Sequence, residues 1–146
     1  MLDLVLAILH HLAIFALFGV LAAEFALVKR GMSPQGVATV GTIDLSYGVL
    51  AGVIVAVGFG RAVFAAKGWT YYAHNGFFWA KIATFVLIGL LSVPPTVSFI
   101  RWRRAGEAPT DAQVAGVRRL LHAELILFAL LPIFAAAMAR GYGEWV

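Results

Sequence analysis

The sequence predicts an all-α fold, an integral membrane antiparallel four-helix bundle, and three observations carry that expectation. Of the 146 residues 62% are hydrophobic and only 12% charged, whereas soluble domains carry roughly 25% charge. The mean hydropathy is +0.93. Four apolar stretches, at about residues 4–28, 43–64, 77–100 and 118–139, each meet the ~20 residues that take a helix across a ~30 Å hydrocarbon layer. Short connections between them leave no room for a second module, so one transmembrane domain over residues 1–146 is expected.

The first span carries three polar side chains, His10, His11 and Glu24. Polar groups inside a span are costly and are functional candidates by default. Asp3 without any Lys or Arg before the apolar run, and a run longer than the ~7–15 residues of a secretory signal, mark this as a retained helix. Lys29, Arg30 and Gly31 end it, and a polar loop with Ser33-Pro34 is expected to reach about Thr42. In the second span Gly48 and Gly52 fall on one face, which would let helices approach closely within the chain or in a homo-oligomer.

The connection from Lys67 to Trp79 is the most aromatic part of the chain. Trp and Tyr favour the headgroup level, so it reads as an interfacial belt, with a loop folded over a ligand as the sharper alternative. The third span has Lys81 near its start and Pro94-Pro95 near its end, where two missing N–H donors should bend or loosen the last turns. Arg101, Arg103 and Arg104 mark the next interface, and a polar connection from Gly106 to Gly116 offers a helix cap at Thr110 or Asp111. The fourth span carries His122, Glu124 and Pro132 and closes at Arg140-Gly141.

Charge placement gives the orientation. The first and third connections hold Lys29, Arg30, Arg101, Arg103, Arg104, Arg118 and Arg119, whereas Arg61, Lys67, Lys81 and Arg140 belong to the other side. Positive charge stays inside, so both termini are expected in the periplasm of a bacterial inner membrane. The net charge of +4 reflects these span ends, with no basic, aromatic-interleaved polar domain for nucleic acid. Without cysteine there is no disulfide, thiolate metal site or CxxC chemistry. P-loop, GxGxxG, HExxH and nucleophile-elbow patterns are also missing.

Two polar clusters remain, at two depths. The outer ends of four antiparallel spans bring together His10, His11, Arg61, Lys81 and Arg140, with His10 about 10 Å and Lys81 about 5 Å from their helix starts at ~1.5 Å per residue. Histidine and deprotonated lysine can both ligate haem iron, while Arg61, Arg140 and the aromatic loop with Trp79 suit the propionates and the ring. Adjacent helical side chains diverge by about 100°, so one of His10 and His11 faces such a site and the other packs elsewhere. His74 is the spare ligand. Snorkelling is the plain alternative for Arg61, Arg140 and Lys81. The inner cluster comprises Glu24, Asp44, His122 and Glu124, read either as ion pairs with Lys29, Arg101 or Arg118 or as a proton or cation pathway. Glu24 and His10 are fourteen residues apart and lie near one helical stripe.

The stretches HHLAIFALFGVLAAE (10–24), WTYYAHNGFFWAK (69–81), SVPP (92–95) and AMARG (137–141) resemble an uncharacterised family of small bacterial four-helix membrane proteins over nearly the whole chain. That family is similar, more loosely, to the copper-resistance protein D family and to HemJ, the bacterial membrane protoporphyrinogen oxidase with haem b. The resemblance implies a first-span histidine ligand, His10 or His11, and a third-span lysine, Lys81. The Trp and Leu-Pro-Arg element that follow the oxidase histidine are absent, and Glu24 stands in that part of the helix.

The expectation is therefore a b-type haem protein with redox function, exchanging electrons with a quinone or a redox protein, in which Lys81, Glu24, Glu124 and His122 serve the chemistry. His10 and His11 also suit a copper or cation carrier, and an accessory subunit whose polar residues only fix helix pairing is the third reading.

Overall fold

The computed structural model describes residues 1–64 and 68–145, apart from the side chains of Leu2 and Asp3. Lys67, counted above with the outer cations, lies outside the described residues. Among the described residues six helices follow one another: α1 (Leu2–Leu27), α2 (Pro34–Phe64), the short α3 (Gly68–Ala73), α4 (Gly76–Ala105), α5 (Asp111–Phe128) and α6 (Leu130–Ala139). The last two are one rod in practice, since Ala129 N–H still donates to Leu125 and Ile126. Four helices are long and apolar enough to cross a membrane, and the fold is an all-α membrane bundle.

The helices reach beyond the expected spans, for local reasons. The polar stretch before Ile43 is helix, not loop: the Ser33 hydroxyl accepts from Gly36 N–H, and Pro34 opens α2 where a missing N–H costs nothing. Thr110 caps α5 in a full capping box with Gln113, so α5 begins at Asp111, ahead of the expected Arg118. Pro94 and Pro95 do not break α4, which runs on to Ala105. The Ser92 and Ser98 hydroxyls donate to the Gly89 and Pro94 carbonyls on either side of that stretch, both at 2.8 Å.

Around the bundle, α1 packs on α2 and α5, and α4 packs on α2, α5 and α6. The buried face of α1 is Ala13, Leu17, Leu21, Glu24 and Val28. On α2 it is Val37, Val40, Asp44, Tyr47 and Ile54. Steps of three, four and seven keep each set on one stripe. Large apolar side chains also point outward, among them Phe15 at 72% exposed, Leu45 at 68% and Leu90 at 64%. Such apolar outward faces suit contact with lipid.

Gly48 and Gly52 belong to that outward face. A Cβ at either would meet nothing within 4 Å, so the close helix contact expected inside the chain does not occur there.

Each end of the bundle is fastened differently. At the end holding residues 28–33 and 106–110, Arg118 stacks its guanidinium 4.3 Å from the Phe25 ring centroid and donates through Nη1 to the Phe25 and Val28 carbonyls. It thereby satisfies two carbonyls that the end of α1 leaves open. At the other end the fully buried Asn75 caps α4, accepting from Phe77 and Phe78 N–H, and its amide donates to the Tyr142 carbonyl. The C-terminal turn continues the clasp, with Gly76 N–H to Gly143 and Trp145 N–H to His74. Gly143, at φ 77°, sits where a Cβ would come within 2.7 Å of the Phe77 ring.

Candidate functional site

Two sites emerge, one toward each end of the bundle. The first centres on His10. His11 faces out and is exposed, its Nδ1 2.7 Å from the Ala7 carbonyl, whereas His10 turns inward with a buried Nδ1 that has no hydrogen-bond partner. The choice between adjacent histidines, open in the sequence, is made by the helix stripe, since His10 precedes Ala13 and Leu17 on the packed face of α1. Gly58 on α2 makes the room: a Cβ there would lie 3.2 Å from His10 Cε1.

Lys81 of α4 and Arg61 of α2 come close enough to His10 to interact electrostatically, and with each other. Lys81 Nζ lies 5.5 Å from the Phe78 ring centroid, and Arg61 Nε is buried without a partner. Three helices thus bring three basic side chains within electrostatic reach of one another.

The remaining outer candidates lie apart. His74 is exposed, with Nδ1 2.9 Å from the Thr70 carbonyl. Trp79 is 46% exposed and donates from Nε1 to the Ala73 carbonyl. Arg140 is exposed at the end of α6. The aromatic connection forms a cluster of rings, Trp69, Tyr72 and Trp79 each against Phe78. Among the described residues no group of three or more His, Cys, Asp or Glu side chains is placed to hold a metal ion.

The second site is acidic and more deeply buried. Glu24 is 2% exposed, Glu124 0% and Asp44 8%. The three carboxyl groups lie within electrostatic reach of one another. Tyr47 donates its hydroxyl to Glu124 Oε2 at 3.2 Å, and Thr96 donates to Asp44 Oδ1 at 2.8 Å. Glu24 Oε1 and Glu124 Oε1 are buried with no hydrogen-bond partner. Of the three cations in the ion-pair reading, Arg118 is spent on backbone carbonyls, and Lys29 and Arg101 are exposed. His122 is exposed and tilts against Phe25, outside this cluster.

Tyr47 and Thr96 went unnoticed in the sequence. The signal for Tyr47 was its place three residues after Asp44 on the α2 stripe, and Thr96 follows directly on Pro95.

Two grooves among the described residues lie away from His10. One, of about 370 Å³, lies between α2 and α4 and is lined by Asp44, Tyr47 and Thr96 among others. The other, of about 430 Å³, lies between α4 and α5 at the arginine-rich end, beside Arg101, Trp102 and Arg119.

Among known proteins, the model of a family described as "Predicted membrane protein (DUF2214)" matches residues 2–143. No curated protein matches the chain, and no solved structure does. The looser likeness to the copper-resistance and oxidase families thus rests on the residues quoted above alone.

Proposed function

The chain belongs to the DUF2214 family of predicted membrane proteins, and on that premise we propose a b-type haem protein with redox function in the bacterial inner membrane. Its arginine-rich end faces the cytoplasm. The observation that supports this reading is the convergence of His10, Lys81 and Arg61 from three helices, with His11 turned away.

The donor set fits haem b. His10 and Lys81 would hold the iron, and the unpartnered Arg61 Nε would take a propionate. The fit lies in the donors and in the clearance at Gly58, while the two grooves described above lie elsewhere. When bound, haem supplies one-electron chemistry, and the protein sets its environment.

The chain's own residues do the rest. Gly58 keeps the His10 ring free of strain, and the Phe78 face keeps the Lys81 amine against the bundle. Glu24 and Glu124 offer buried oxygens on which a proton can be held, with the Tyr47 hydroxyl as the next step. An accessory bundle would have no use for two carboxyl oxygens buried without partners, given what such groups cost within a span. For copper, the donor arrangement offers no comparable support.

An absorption spectrum of the purified protein from haem-replete cells, oxidised and dithionite-reduced, tests the reading. Near-stoichiometric haem b is expected in the wild type and in His11→Ala, and its loss in His10→Ala. A colourless wild-type protein sinks the proposal.

A further inference from the structure

We infer that the groove between α2 and α4 is a binding site, open to the bilayer, for a lipid-soluble hydroquinone whose hydroxyl bonds Asp44. The inference deepens the redox reading and rests on it for the use made of the bound molecule. Its own grounds are the shape of the groove and the donors and acceptors within it.

The groove holds about 370 Å³, within the range of sites that take a single substituted ring. Its walls are almost wholly apolar and its mouth faces lipid, where Leu45 and Val49 are 68% and 60% exposed. A polar solute has no route to it, while a molecule already dissolved in the bilayer needs none.

A glycine from each helix, Gly48 of α2 and Gly89 of α4, lines the slot. A Cβ at Gly48 or at Gly89 would meet nothing within 4 Å, so the space beside both helices is open. Phe85 lines the same groove and offers a ring to stack upon.

The polar groups select the head of the ligand. Asp44, more than nine-tenths buried, accepts from Thr96 at Oδ1, and no other side-chain donor among the described residues reaches it. All three hydroxyls that line the groove are already committed as donors, Tyr47 to Glu124, Thr96 to Asp44 and Ser92 to the Gly89 carbonyl. What the groove leaves free is the second oxygen of the Asp44 carboxyl, Oδ2. A hydroxyl head, as in a hydroquinone, bonds that oxygen whether it is ionised or protonated, whereas a quinone carbonyl, which only accepts, bonds it only when it is protonated. A hydrocarbon chain would fill the slot but leave that oxygen unbonded within the membrane.

The test is direct binding of radiolabelled decyl-benzohydroquinone, and separately of its quinone, to the protein in nanodiscs, with haem measured in the same samples. Saturable binding is expected, and with Asp44 ionised at high pH it is tighter for the hydroquinone by about tenfold, the discrimination of one hydrogen bond to a buried acceptor. Asp44→Asn, which adds an amide donor without changing the shape, should abolish that preference. Gly48→Leu and Gly89→Leu fill the slot from opposite walls with room for the side chain, and each should reduce binding at least tenfold. If one of these variants fails to fold, the other answers.

Non-saturable binding, binding indifferent to both leucine variants, or equal displacement by phospholipid overturns the inference. Because binding and haem content are read separately, either proposal can fail while the other holds.

Discussion

Tyr47 on α2 donates its hydroxyl to Glu124 on α5 across 3.2 Å, joining two helices through a polar contact in the middle of an apolar bundle. Water cannot replace either partner at that depth. Hydrogen bonds between membrane helices contribute about 0.6 kcal/mol on average and up to about 2. Tyr47→Phe should therefore lower stability by about 1 kcal/mol in reversible unfolding in mixed micelles. Glu124→Gln keeps an acceptor for the hydroxyl and should leave stability nearly unchanged. A larger loss in Glu124→Gln than in Tyr47→Phe would show that the bond is not the feature that matters.

Glu24 makes the opposite prediction. Its Oε1 is buried and bonded to nothing, and an unsatisfied buried polar group costs about 1–3 kcal/mol. Glu24→Leu, of similar size, should raise stability by about 1 kcal/mol or more in the same assay. If the carboxyl serves proton movement, Glu24→Gln should retain haem and flatten the pH dependence of its midpoint potential. A destabilised Glu24→Leu would return Glu24 to a structural role.

Arg118 serves structure. It satisfies the Phe25 and Val28 carbonyls and stacks on the Phe25 ring. Hydrogen bonds from a charged donor contribute about 1.5–3 kcal/mol, so Arg118→Ala should cost about 2 kcal/mol or more. Arg118→Lys should recover only part of it, because an ammonium lacks the planar fork and the stacking face. Equal stabilities for the alanine and lysine variants would contradict this account.

Gly58 controls the outer site. A methyl group there comes within 3.2 Å of His10 Cε1, while one at Gly60 meets nothing within 4 Å. Gly58→Leu should reduce haem content severalfold, and Gly60→Leu should not. The pair separates crowding at His10 from a general effect of larger residues on α2.

Much of the fold was legible because membrane spans announce themselves by length and apolarity, which needs no partner information. Helix starts were less so. Residues 34–42 and 111–117 are helical but polar enough to read as loop, and only the Ser33-Pro34 and Thr110-Gln113 capping chemistry marks them. Gly48 could not be placed for a different reason: a glycine at helical spacing has the same pattern whether it faces a helix of its own chain, a second chain or lipid.

The sequence named His10, Lys81, Arg61, Glu24 and Glu124 because each is conspicuous inside an apolar run. It did not name Tyr47, Thr96 or Asn75, whose importance lies in partners 77, 52 and 67 residues away. Nor could it choose between His10 and His11, since that depends on the rotation of α1 against α2.

The C-terminal turn gives the molecule an order of assembly. Asn75 bonds the Tyr142 carbonyl, and Gly76 bonds Gly143. The first turn of the third span is thus completed by residues made only after the fourth span has been synthesised. Until then α4 enters the bilayer with its cap half built and its aromatic rim uncovered. The clasp at the end that carries His10, Lys81 and Arg61 thus closes only when the fourth span is in place.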